Sequence, residues 1–231
     1  MWRKVLLGCG LVSSVLYVAT DVLGALRYPG YRYRDQWFSE LTAQGAPTRT
    51  LMVALNGIPY TVLVTAFGVG VGSAARRQRS ARTTGALLIG YAVFGVAGGV
   101  AFPMKPREAL AAGEGTLRNT MHIPATAAMS LSLVLAMGVG ATLLGKRFRS
   151  YSYGTILTVL AFGALTSLQA GRIEAGEPTP WAGIEERVNI YATMLWLAVL
   201  AIALSRAEGI IVRRRSEKPS ATARTVQALA R

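Results

Sequence analysis

The sequence predicts an all-α fold, a six-helix transmembrane bundle built from three helical hairpins. Only 16% of its 231 residues are charged, whereas soluble domains carry about 25%. Its mean hydropathy is +0.38, and apolar runs of about twenty residues recur along the chain. Backbone groups inside hydrocarbon must be satisfied within their own segment, so these runs are predicted to be helices.

Six segments each approach the ~20 residues that a helix needs to cross ~30 Å of hydrocarbon. In chain order, the predicted spans are residues 5–26, 51–74, 83–103, 119–144, 153–171 and 187–205. The fifth span is the most polar, and its threonines, serine and glutamine are predicted to face other helices rather than lipid. We expect one membrane domain over residues 1–205, followed by a basic, disordered cytoplasmic tail over residues 206–231.

Lysine and arginine are distributed unevenly between the two sets of loops. Sixteen of the 25 lie on the side that carries both termini and the short loops, and nine are spread over the three longer loops. Because positive residues favour the cytoplasmic side, both termini are predicted to be cytoplasmic, in the plasma membrane of a bacterium. Arg213, Arg214 and Arg215 would then meet anionic lipid of the inner leaflet, each gaining ~1 kcal/mol.

Composition also argues against several classes of protein. The net charge of +14 would indicate nucleic-acid binding in a soluble protein, but here the cations flank apolar spans, so we expect no nucleic-acid partner. Cys9 is the only cysteine, which excludes an intramolecular disulfide and a cysteine-rich metal site. Only three apolar residues precede it directly, too few for a lipoprotein signal, so the first span is predicted to remain uncleaved. We expect neither a metal nor a cofactor.

Ionisable residues near the outer ends of the spans are the candidates for a site. Asp21 lies about 9 Å below the end of the first span at Arg27, and its short side chain cannot reach the interface. An intramembrane carboxylate costs at least ~2.5–3.5 kcal/mol near the bilayer centre, so Asp21 needs a buried partner. Arg187, which follows Glu186 at the start of the last span, is predicted to pair with an acidic group such as Asp21 or Glu40.

The segment between the first two spans contains further candidates. Trp37 and Phe38 suit the headgroup level and are predicted to anchor the segment in the membrane. Ser39 and Glu40 follow them, either as the lip of a polar pocket or as an ordinary helix start. His122, the only histidine, is either a proton carrier or a polar cap at the interface.

Three short motifs occur in order along the chain. They are Phe38-Ser39-Glu40-Leu41 followed by Gly45-Ala46-Pro47, Phe102-Pro103 with His122 downstream, and Gly183-Ile184-Glu185-Glu186-Arg187. Over roughly residues 5–205, the chain resembles the bacterial and archaeal multi-pass membrane family catalogued as domain of unknown function 998. The resemblance implies a six-helix integral membrane protein and supplies no activity. Members often carry an acidic residue soon after the Phe-Pro, where this chain has Met104-Lys105.

Three functions remain open at this point. The first is binding or transport of a small ligand or lipid headgroup in an outer-leaflet polar pocket. The second is a structural or regulatory membrane protein without a ligand. The third is an intramembrane lipid hydrolase, which the single histidine disfavours because catalytic zinc takes three protein ligands. Under each of these functions we expect membrane lipids as partners, and self-association of the chain stays open. We assign no catalytic residue. The candidate ligand-binding residues are Asp21, Ser39, Glu40, His122, Glu186 and Arg187.

Overall fold

The computed structural model describes residues 2–74 and 79–216, and over that part of the chain it contains helices and no strand. Six helices are long and apolar enough to cross a membrane. They are α1 (Trp2–Arg27), α2 (Arg49–Ser73), α3 (Arg79–Ala101), α4 (Leu117–Gly140), α5 (Lys146–Glu174) and α6 (Ala182–Ser216). The predicted all-α fold with six spans is confirmed.

The last helix is longer than predicted. It continues to Ser216, so residues 206–216 are helical, in contrast to the disordered tail predicted from residue 206. No proline interrupts this stretch, and arginine and alanine are good helix formers. The remainder of the predicted tail, residues 217–231, lies outside the described residues, as do the side chains of Arg213, Arg214 and Arg215.

The helices pack as three hairpins in the order α5, α6, α1, α2, α3, α4. The α1 helix lies between α2 and α6, α3 lies between α2 and α4, and α5 packs mainly on α6. The α2 and α3 backbones approach most closely at Gly68 and Gly85, where a Cβ added to Gly85 would collide with the Gly68 carbonyl. Small residues allow such close contact where lipid provides no hydrophobic driving force.

One apolar core fills the middle of the bundle. Trp196 of α6, Phe67 of α2, Leu88 of α3 and Met137 of α4 are fully buried in it. Trp196 also donates its indole N–H to Ser152 of α5 at 3.0 Å. Over the described residues, the interior at this depth is therefore packed mainly with apolar side chains.

The polar side of α5 only partly faces other helices. Thr155 is buried as predicted, but Thr158 is only half-buried and Ser167 is exposed on the lipid-facing surface. Their hydroxyls donate to the carbonyls of Gly154 and Gly163 within the same helix. This internal bonding removes the need for a partner on another helix.

Residues 28–48, 102–116 and 175–181 connect the two helices of each hairpin at the same end of the bundle, and we call this end the long-loop face. The first connection contains a short 3₁₀ helix, Phe38–Thr42, and the second contains a short α-helix, Arg107–Ala111. Nearly all of the candidate site residues lie at or just below this face.

Candidate functional site

A buried ion pair joins the first and last helices near the long-loop face. The side chains of Asp21 in α1 and Arg187 in α6 are 1% and 3% exposed. The Arg187 Nη2 donates to Asp21 Oδ1 at 2.9 Å, and the Nε donates to Asp21 Oδ2 at 3.0 Å. Two parallel charge-assisted hydrogen bonds make this a strong arrangement. The structure therefore pairs Arg187 with Asp21 and not with Glu40.

Three tyrosines complete the surroundings of this pair. The hydroxyls of Tyr191 and Tyr33 donate to Asp21 Oδ2 at 2.5 Å and 3.0 Å. The Tyr33 ring lies 3.6 Å from the Arg187 Cζ, in a cation–π contact. Tyr31 accepts a hydrogen bond from Arg187 Nη2 at 2.8 Å. Burial raises the pKa of both Tyr31 and Tyr33, so these two phenols stay neutral.

Arg187 also binds the backbone of the first long loop. Its Nη1 donates to the carbonyls of Tyr33, Gln36 and Gly183 at 3.0 to 3.1 Å. A guanidinium has five N–H donors, and all those of Arg187 point at acceptors in its immediate surroundings. Arg187 is therefore fully occupied by the protein itself.

A second buried ion pair lies within the long loops. Glu40, with a side chain 5% exposed, accepts from Arg107 Nη2 at 2.7 Å and from Arg107 Nε at 2.8 Å. Glu40 also accepts from the Trp37 backbone N–H and from Gln36 Nε2. The Arg107 Nη1 donates to Thr179 Oγ1 at 2.6 Å. These contacts tie together one residue from each of the three long loops.

Glu186 contacts the same loop from the opposite side. Its Oε2 accepts the backbone N–H of Phe38, and Glu186 makes no other hydrogen bond within the described part of the chain. Phe38 is 9% exposed and lies with its ring centroid 4.8 Å from that of Tyr17. Phe38 is therefore a core residue, and its prediction as a membrane anchor is wrong because the loop folds inward over α1. Trp37 is half-buried.

Two of the candidates lie outside this network. His122 lies in the second turn of α4 and directs its Nδ1 at the carbonyls of Gly98 and Phe102, at 3.0 Å and 2.8 Å. It therefore caps the end of α3, whose last carbonyls have no partner within the helix. The Ser39 hydroxyl makes no hydrogen bond in the described part of the chain. Asp21, Ser39 and His122 do not assemble into a catalytic arrangement.

Two neighbouring arginines complete the cap of α3. The Arg49 Nη2 donates to the Val100 carbonyl at 3.1 Å, and the Arg118 Nε donates to the Ala101 carbonyl at 2.7 Å. Cations at a helix C-terminus also interact favourably with the helix dipole. The polar residues at the starts of α2 and α4 therefore stabilise a helix end.

A groove runs along α6 on the lipid-facing surface, and we call it the α6 groove. Its upper part encloses about 430 Å³ beside the ion pair and its lower part about 400 Å³ between α5 and α6. Ala192 and Leu195 line both parts, so the two are continuous. The upper part is lined by Tyr33, Ile184, Arg187, Val188 and Tyr191, and the lower part by Tyr151, Gly154, Thr155 and Thr158.

Sequence reasoning missed Arg107, Tyr33 and Tyr191 as members of the network. Arg107 lies 67 residues from Glu40 along the chain, and no sequence pattern links them. Tyr191 lies four residues after Arg187, on the same face of α6, and this spacing is the one signal that was available. Among the described residues, no cluster of three or more His, Cys, Asp or Glu side chains is arranged to hold a metal ion.

The fold and this network define a polytopic helical membrane protein whose buried charged side chains, among the described residues, lie near one end of the bundle. Residues 11–203 match the family described as protein of unknown function (DUF998). This match covers most of the chain, so the protein belongs to that family. No curated protein and no solved structure matches the chain.

Proposed function

We propose that the protein binds one phospholipid of the outer leaflet, with an acyl chain in the α6 groove and the headgroup at the long-loop face. The observation that carries this proposal is the groove itself, which is open to lipid and continuous from Ile184 to Leu195.

The length of the α6 groove suits one leaflet. Ile184 and Leu195 are separated by eleven residues, or roughly 16 Å at 1.5 Å per residue. The hydrocarbon core of a bilayer is ~30 Å thick, so one leaflet contributes about half of that. An acyl chain that enters at the long-loop face would therefore end near the lower limit of the groove.

The groove combines apolar and hydroxyl-bearing side chains. Ala192 and Leu195 line both parts, Tyr33 and Tyr191 add hydroxyls to the upper part, and Tyr151, Thr155 and Thr158 add hydroxyls to the lower part. Arg34, next to Tyr33, accepts the Ile184 N–H with its carbonyl and carries a 59% exposed side chain. Its Nε and Nη2 bind Asp35, which leaves Nη1 for a phosphate oxygen.

Trp181 lies three residues before Ile184, which lines the upper part of the groove. It is 56% exposed, lies 5.2 Å from the Arg34 guanidinium, and adopts a left-handed backbone conformation with φ of 71°. Such a conformation costs of order 1–3 kcal/mol in a non-glycine residue and clusters at binding sites. An exposed tryptophan beside an arginine is typical of the membrane–water interface.

The packing of the bundle interior supports binding of a lipid rather than transport of a ligand through the bundle. The buried charged side chains among the described residues are Asp21, Glu40 and Arg187, all near the long-loop face. Below them the core is filled by Phe67 and Trp196. A permeation route would need polar groups through both halves of the bundle.

Native mass spectrometry of the detergent-extracted protein tests this proposal. Wild-type protein is expected to retain one phospholipid, and Ala192→Trp is expected to lose it because the indole occupies a position that lines both parts of the groove. Leu131→Trp is the matched control, since Leu131 is 60% exposed on α4. Equal retention by Ala192→Trp and Leu131→Trp would contradict lipid binding in the groove.

A structural protein without a ligand is the second candidate. It is favoured by the completeness of the two ion pairs, in which Asp21 and Glu40 each accept at least four hydrogen bonds from the protein. If the protein is structural and has no ligand, neither wild type nor either tryptophan variant retains a lipid, and all three proteins unfold at the same temperature.

We also infer that the protein lies in the plasma membrane with both termini in the cytoplasm. The distribution of lysine and arginine supports this orientation, since sixteen of the 25 lie on the side of the termini. In that orientation, Arg213, Arg214 and Arg215 meet anionic lipid of the inner leaflet.

A further inference from the structure

The carboxylate of Glu185, in the first turn of α6 at the long-loop face, is not held by an arginine. It is half-buried, accepts a hydrogen bond from Gln169 Nε2 at 3.3 Å, and makes no ion pair within the described part of the chain. Asp21 and Glu40, in contrast, each accept two hydrogen bonds from one guanidinium group. An ionised carboxylate has about four lone-pair sites, so Glu185 keeps capacity to accept from a ligand.

The amide of Gln169 in α5 provides a second acceptor beside this carboxylate. Its Nε2 donates to Glu185, and its Oε1 is buried without a hydrogen-bond partner among the described residues. Reversing the amide would set the carbonyl oxygen against the carboxylate, so the contact with Glu185 fixes its orientation. A buried acceptor that lacks a donor is costly. The two neighbouring side chains therefore offer more acceptors than the protein supplies with donors.

Both side chains lie in line with the α6 groove. Glu185 lies seven residues before Ala192, which lines both parts of the groove, and Gln169 lies eleven residues after Thr158, which lines the lower part. Residues seven or eleven positions apart are two or three turns apart on the same face of a helix. The two acceptors therefore stand at the long-loop end of the surface that the groove follows between α5 and α6.

Arg34 lies next to these acceptors. Its carbonyl accepts the N–H of Ile184, the residue before Glu185, at 3.2 Å, and the Glu185 N–H donates to the Trp181 carbonyl at 2.9 Å. The Trp181 ring in turn lies 5.2 Å from the Arg34 guanidinium. A cation that suits a phosphate and a pair of acceptors that suits an ammonium group therefore meet at the start of α6.

We propose that the lipid in the α6 groove is a phospholipid with a primary ammonium headgroup, and that Glu185 and the Gln169 Oε1 bind this ammonium. The inference rests on the proposed binding of a phospholipid in the groove. A primary ammonium carries three N–H donors, enough for the carboxylate and for the Gln169 carbonyl. A quaternary ammonium carries the same charge and no N–H, so it leaves the buried oxygen without a donor.

Competition between two zwitterionic lipids tests this proposal. Detergent-solubilised protein is offered equal amounts of phosphatidylethanolamine and phosphatidylcholine with identical acyl chains, and native mass spectrometry resolves the two complexes by mass. Wild type is expected to retain phosphatidylethanolamine about tenfold more than phosphatidylcholine. The N-methyl and N,N-dimethyl forms of phosphatidylethanolamine should fall between them, in the order of their N–H count.

Two variants and a control locate the preference. Glu185→Gln and Gln169→Met are each expected to bring the ratio of the two lipids close to one. Total retention should stay unchanged in both, because the groove and Arg34 are intact. Glu174→Gln alters an exposed carboxylate five residues after Gln169 on the same helix and should keep the wild-type ratio. Ala192→Trp is expected to retain neither lipid.

A free amine in solution offers the same N–H donors, so a further sample contains phosphatidylcholine and excess ethanolamine. We expect no ethanolamine complex, and such a complex beside bound phosphatidylcholine would overturn the assignment to a headgroup. Equal retention of the two lipids by wild type, or a wild-type ratio in Glu185→Gln or Gln169→Met, also overturns the proposal and leaves lipid binding in the groove intact. Absence of any retained phospholipid contradicts both proposals.

Discussion

Arg107 and Arg187 perform the same task at two depths of the long-loop face. Each holds a buried carboxylate through two hydrogen bonds and uses its remaining N–H groups on loop atoms. A lysine could not do this, because it lacks the planar fork of donors. The first long loop is therefore held by Arg187 from below and by Arg107 from above.

Replacing Asp21 by asparagine tests the deeper pair. The substitution leaves the Arg187 guanidinium buried without a counter-ion, and breaking a buried ion pair in this way typically costs about 3–5 kcal/mol. Thermal unfolding in a fixed detergent should therefore show a marked loss of stability for Asp21→Asn.

Two further variants sharpen this test. Glu185→Gln, which alters a carboxylate outside the ion pairs, should stay within about 0.5 kcal/mol of wild type. The double variant Asp21→Asn/Arg187→Gln should lose less than the sum of the two single losses, because the residues interact directly. Additive losses, or an Asp21→Asn variant as stable as wild type, would show that the pair does not hold the loop.

The deeper ion pair was partly predictable from the sequence, whereas the pair within the long loops was not. Asp21 and Arg187 stood out because each lies where a single charge is costly, and their similar depth indicated Asp21 or Glu40 as the partner of Arg187. The partnership of Glu40 with Arg107 could not be predicted, because it depends on how two loops fold over the helix ends. His122 was recognised as unusual, but its role as a cap depends on where α3 ends relative to α4.

At the scale of helices, the contact between α2 and α3 depends on glycine. A Cβ added to Gly85 would collide with the carbonyl of Gly68 and would lie 2.8 Å from the Gly72 nitrogen. Backbone atoms cannot move aside as a flexible side chain can, so the two helices must separate to accept a methyl group.

We therefore expect Gly85→Ala to destabilise the protein by about 1–3 kcal/mol, the usual cost of overpacking. The matched control is Gly138→Ala in α4, where an added Cβ meets nothing within 4 Å. That control should be neutral or slightly stabilising, because alanine is the better helix former. Thermal unfolding of both variants measures the difference, and equal stability would contradict the close packing of α2 on α3.

Helix positions were easier to predict than helix ends. The predicted spans agree with the structure because about twenty apolar residues in a row have few alternatives in a membrane. The predicted end of the last span at residue 205 lies close to the end of the apolar part of α6 at Ala207, while the helix itself continues to Ser216. The packing order of the helices, with α5 mainly on α6, has no signature in hydropathy and follows from side-chain shape.

For the whole molecule, the orientation in the membrane is the first property to measure. A reporter that is active only in the cytoplasm is expected to be active when fused at residue 231 or at the N-terminus. The reason is that sixteen of the 25 lysines and arginines lie on the side of the termini. A cysteine at exposed Glu114 in the second long loop, in a Cys9→Ala background, should react with an impermeant thiol reagent on intact cells. A cytoplasmic location for residue 114 would reverse the predicted orientation.

Photo-crosslinking tests the central claim, a phospholipid in the α6 groove, most directly. The wild-type protein would be reconstituted with a phospholipid that carries a photoactivatable group near the middle of one acyl chain. After irradiation, peptide mass spectrometry would locate the labelled residues. We expect the label to concentrate on residues 188–195 of α6 and on the facing turn of α5 around Gly154 and Thr158, and to be lost there in Ala192→Trp. Label spread evenly over the lipid-facing surfaces of all six helices, unchanged in Ala192→Trp, would contradict the claim.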